Sequence, residues 1–147
     1  MGNRRINRLR KILNFQLNQL ELLKNELKLQ SRAIQELIAE QANLNHEIQI
    51  INQQIVEGSQ LLESFQQGVC SMSVINRRLA NTQNELVTAR EKQLEIIRRY
   101  RAQRVRCTSW ENLLDREVSR FRAENSRREM RLADETYLLT KFLGEST

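Results

Sequence analysis

Counting in sevens from Ile6 gives Ile6, Leu13, Leu20, Leu27, Ile34, Gln41, Ile48, Ile55 and Leu62, so eight of nine positions are apolar. The companion set three residues on reads Leu9, Gln16, Leu23, Gln30, Leu37, Leu44, Ile51, Gly58 and Phe65, with six of nine apolar. Alternating steps of three and four keep these side chains on one stripe of an α-helix, which is the seam of a coiled coil. The pattern predicts one helix over about residues 3–66.

The register is lost through Val69-Cys70-Ser71-Met72-Ser73, just after Gly68. Glycine ends helices and serine caps them, so a turn is expected at about 67–73. A second seam then runs through Ile75, Leu79, Thr82, Leu86, Ala89, Gln93, Ile96, Tyr100, Gln103, Cys107, Trp110, Leu114, Glu117 and Phe121, giving a helix over about 74–142. Two consecutive helices joined by a short turn run antiparallel. The expected fold is therefore all-α: a single domain over 1–147 made of two long helices in an antiparallel coiled-coil hairpin, about 100 Å long at 1.5 Å per residue. Folding at Gly68 brings Gln30 near Gln103 and Gln41 near Gln93, so that the seam amides satisfy one another. With no wide core, the open end is expected to fray and to gain order from partners.

Composition agrees with helix throughout. The 147 residues contain no proline, four glycines and only 5% aromatics, which leaves little turn chemistry and disfavours sheets. The net charge of +6 comes from 24 basic and 18 acidic residues interspersed in sign, as on solvated helix faces. No stretch approaches the roughly 20 apolar residues of a membrane span. Ile6 stands where a myristoylation signal has Ser or Thr. The basic opening Arg4, Arg5, Arg8, Arg10 and Lys11 lies within the heptad pattern and carries no cleavage signal, so it reads as the first turns of helix one. Cys70 and Cys107 have no metal or redox spacing, and the two are expected too far apart for an intrachain disulfide. A soluble protein of a reducing cytoplasm is expected.

No catalytic constellation is present. The chain has one histidine, His46, off the seam and without partners, and no phosphate-binding glycine loop. The reading is a non-enzyme without cofactor, metal or small-molecule ligand. The stretch from Arg98 to Arg106 surrounds Tyr100 with cations, as in some nucleic-acid grooves. Tyr100 is nevertheless a seam residue and a two-helix rod has no groove, so no nucleic-acid partner is expected.

From Trp110 to Glu135 the helix-forming composition persists while the seam turns charged at Glu117, Glu124 and Arg128. This face is expected to meet something other than the sister helix. Its residues are Leu113-Leu114-Asp115-Arg116, then Phe121, then Arg127-Arg128-Glu129-Met130-Arg131-Leu132-Ala133-Asp134-Glu135. They resemble the C-terminal signature of the flagellar export protein FliJ family: a leucine with charged residues after it, an aromatic residue, Arg-Arg-Glu, a further basic residue and a closing Asp-Glu. The opening Arg8-Leu9-Arg10-Lys11-Ile12-Leu13, the length and the two-helix plan are also similar to that family. Helix one departs from it in being rich in Gln and Asn, and the segment Val69-Cys70-Ser71-Met72 in having few aromatics.

The resemblance implies a non-catalytic stalk and chaperone component of the flagellar type III protein export apparatus. Such a protein serves motility from the cytoplasm, peripheral to the inner face of the cell membrane at the flagellar base. It would bind the export ATPase ring with its open end, promote ring assembly and ATP hydrolysis, reach the membrane export gate with its tip, and escort export chaperones. By position, the ATPase-binding residues are Arg4, Arg5, Arg8, Arg116, Phe121, Glu124, Arg127, Arg128, Glu129, Arg131, Asp134 and Glu135. Export-gate contact falls to Phe65, Val74, Ile75 and Leu79. The competing reading is a self-associating structural coiled-coil protein in which the charged C-terminal segment is only solvated helix.

Overall fold

A computed structural model describes residues 2–57 and 62–145. Helix α1 is Gly2–Glu57 and helix α2 is Leu62–Glu145. The two pack against each other as an all-α hairpin, with no strand among the described residues. Without proline and with Leu, Gln, Glu and Arg dominant, nothing interrupts either helix. α1 ends immediately before Gly58 and Ser59, residue types that favour stopping a helix.

The heptad sets map directly onto burial. In α1 every residue of both sets from Ile6 to Ile55 is buried or half-buried, and in α2 so is every seam residue from Ile75 to Phe121. The helix boundaries and the cross-helix amide partners differ from the sequence expectation. Residues 67–73, expected to form the turn, are helical and belong to α2, and residues 58–61 lie outside the described residues. Leu62 and Phe65, counted above in helix one, belong to α2, and the seam position at Gly58 lies outside the described residues.

The physical reason is visible at Gly68. It is half-buried against α1, and a Cβ built there would lie 2.6 Å from Ile55 Cγ1 and 2.9 Å from Cδ1. Gly68 thus serves close helix approach rather than helix termination.

Two compact units are present. The unit Glu21–Arg101 holds the buried side chains Ile34, Leu44, Ile75, Thr82, Leu86 and Ile96, the last fully enclosed. Here Gln30 Nε2 donates to the Ala89 carbonyl at 2.8 Å. The other unit joins Met1–Leu20 to Ala102–Thr147 and buries Ile6, Leu9, Gln103 and Cys107. Within it Gln103 Nε2 donates to Gln16, at 3.0 Å to the carbonyl oxygen and 2.7 Å to Oε1. The expected Gln30–Gln103 and Gln41–Gln93 proximities are therefore replaced. The earlier reversal places Gln16 opposite Gln103 and Ala89 opposite Gln30, and no buried side-chain polar atom among the described residues lacks a partner.

Beyond Asn125 the character of α2 changes. Residues 126–144 are all exposed. Most helical stability in proteins comes from tertiary packing of an apolar face, which these residues lack. Amide hydrogen exchange in dilute solution is expected to be much faster over 126–144 than over 75–107, and mass spectrometry of the exchanging chain checks it; equal protection would contradict it.

Candidate functional site

The unit built from the start of α1 and the last part of α2 gathers every residue assigned above to ATPase binding. Arg4, Arg5 and Arg8 stand exposed on the first turns of α1. Cations at a helix N-terminus oppose the macrodipole, typically at about 0.3–1 kcal/mol each. The first turn of α1 also has no acidic residue to compensate them. Helix stability therefore gives no reason for this cluster.

Across from it, Glu117 occupies a seam position with only 14% of its side chain exposed. Its Oε1 lies 3.5 Å from Arg5 Nη2 of α1 and 3.7 Å from Arg120 Nη1 of its own helix. Both arginines are mostly exposed, so these pairs contribute little stability. Gly2 packs on the ring of Phe121 so closely that a Cβ there would overlap it. Gly2, Arg5, Glu117, Arg120, Phe121 and Glu124 line an open cleft of about 230 Å³. Sequence reading missed Gly2, Glu117 and Arg120 as members of this cleft. The signal for Glu117 was its charge at a seam position opposite a basic segment; nothing in the pattern marks the other two.

From Arg116 to Glu135 the named residues sort by helical angle. At about 100° per residue, Arg116, Glu124, Arg127, Arg131, Asp134 and Glu135 fall within an arc of about 100°, with Arg128 and Phe121 at its edge. Glu129 points away from that arc. Phe121 is half-buried and the others are exposed. The result is one long polar face of mixed sign, contiguous along the helix with the Gly2–Phe121 cleft and chemically suited to a charged protein surface.

The second set falls in the other unit and does not form a comparable face. Ile75 is buried and Leu79 half-buried in the seam, so both are occupied by packing against α1, whereas Phe65 and Val74 are exposed. Phe65 alone of the four lies within the first turns of α2. His46 and Cys70 are exposed and Cys107 is buried in the seam, with both thiols free. Tyr100 is half-buried, as its seam position requires, and Arg99 pairs with Glu95 at 3.1 Å on the outer surface. No group of three or more metal-ligating side chains is found among the described residues, and none of their helices is long and apolar enough to cross a membrane.

No protein-family profile, curated protein or solved structure matches the chain.

Proposed function

We propose that the protein is a non-catalytic stalk of the flagellar type III export apparatus, binding the export ATPase ring through the unit that contains Arg5, Glu117 and Phe121. One observation carries this reading. The first turns of α1, which carry Arg4, Arg5 and Arg8, share one compact unit with a charged stretch of α2 whose residues 126–144 are all exposed. A pairing surface left uncovered and rich in both signs of charge suits recognition by a polar protein lumen. In this reading the protein acts in the cytoplasm at the inner face of the membrane. Phe65 and Val74 remain the exposed side chains for the export gate, and export chaperones are further partners.

The test is ATP hydrolysis by the purified flagellar export ATPase from the same cell, with and without this chain. Expected are binding and faster hydrolysis. The Arg127→Glu/Arg128→Glu variant should bind about tenfold or more weakly and stimulate correspondingly less, because reversing charges at a complementary interface turns attraction into repulsion. Absence of both binding and stimulation would overturn the reading and leave a structural coiled coil as the account.

A further inference from the structure

The uncovered part of α2 carries a second pattern. Phe121, Asn125, Arg128, Leu132, Glu135, Leu139 and Phe142 follow one another at alternating steps of four and three, which is a single stripe on the helix. Its first two members are half-buried beside α1, so the stripe continues an established interface. The remaining members are exposed, with Leu132, Leu139 and Phe142 at 62%, 63% and 70%. Leu138, at 63%, flanks them. Large apolar side chains in a row on an uncovered seam face mark an interaction surface.

The two charges on the stripe identify the occupant. Arg128 and Glu135 lie on either side of Leu132, one basic and one acidic. A second copy laid antiparallel, with its two-fold axis close to Leu132, sets Arg128 of each copy beside Glu135 of the other. The two Leu132 side chains then meet at the axis, and Phe142 of each copy comes near Phe121 of the other. A parallel copy would instead stack like charges at both positions, which is unfavourable. Self-complementarity of this kind is what an isologous interface requires. We infer that the segment from Glu124 to Phe142 is a homodimerisation site, in which a second copy of this chain takes the place that α1 leaves empty. The dimer shares Arg128 and Glu135 with the face proposed for the ATPase, and its test contains no second protein, so failure of the one is distinguishable from failure of the other.

Sedimentation analysis of the full chain over a concentration series is the test. The wild-type protein should move from 17.4 kDa toward twice that mass as concentration rises, with amide exchange over 124–142 slowing in parallel. Arg128→Glu alone and Glu135→Arg alone should each weaken the dimer about tenfold or more, since each places like charges together twice. The exchanged pair, Arg128→Glu with Glu135→Arg, should restore it to within about threefold. Circular dichroism confirms that each variant keeps its helix. A wild-type chain that stays monomeric into the hundreds of micromolar would overturn the inference, and so would single variants that dimerise normally or an exchanged pair that fails to recover.

Discussion

Replacing Ile96 with alanine is expected to lower stability by about 2–5 kcal/mol, the range for truncating a fully enclosed aliphatic side chain. Ile96 is 0% exposed, the most completely covered large side chain among the described residues. Two residues earlier on the same helix, Leu94 is 63% exposed and its truncation should change stability by about 0.5 kcal/mol or less. The two variants have nearly the same effect on composition and helix propensity, so the contrast isolates seam burial. Thermal unfolding followed by circular dichroism reads it, at about 2–4 °C per kcal/mol for a chain of this size. Equal midpoints for the two variants would show that the seam is not where α1 and α2 meet.

Gln103 should behave differently, because its role is register as much as stability. Its amide nitrogen lies within donating distance of the Gln16 carbonyl and side-chain oxygens and 4.0 Å from Cys107 Sγ. Changing Gln103 alone to leucine leaves the Gln16 side chain facing an apolar neighbour and should destabilise by about 1–3 kcal/mol. Changing both to leucine should recover most of that loss, since no polar group is then stranded. The cycle of four proteins, unfolded in urea, should yield a coupling of about 0.5–3 kcal/mol. Zero coupling would separate the two residues and refute the register. The double variant also loses the feature that distinguishes this alignment from one shifted by a heptad, as a buried polar pair does in coiled coils generally.

The helices and their contact faces were legible in the sequence because a heptad is a direct record of which side chains face a neighbour. Ile6, Leu44, Leu86 and Cys107 are buried where counting in sevens places them. The reversal was not legible, because two segments carry the same stop signals. Gly58-Ser59 and Gly68 with its following serines both look like helix ends, and only three-dimensional packing shows that Gly68 is small to admit Ile55. That displacement also moved the amide partners: Gln103 was correctly a seam amide, with Gln16 rather than Gln30 across from it.

The charged set from Arg116 to Glu135 was visible as a break in the apolar pattern, and the structure adds its closeness to Arg5 and Gly2. Leu132 and Leu139 escaped notice because they lie one residue on from the seam positions 131 and 138, and Phe142, though on the seam spacing itself, lies beyond the charged positions Glu124, Arg128 and Glu135. On the inner stretch of α2 the positions equivalent to Leu132 and Leu139, among them Asn76, Gln83, Arg90, Arg104 and Glu111, are exposed and polar, so they form no apolar stripe there. The apolar residues matter only beyond Asn125, where the side chains of α2 are exposed.

Photo-cross-linking to the flagellar export ATPase tests the central functional proposal most directly. A photoreactive phenylalanine analogue replaces Arg131, on the charged face, in one preparation, and the exposed Leu94 of the other unit in a second. The account predicts a cross-linked ATPase adduct from position 131 and none from position 94. An adduct from position 94 alone, or from neither position, would contradict it.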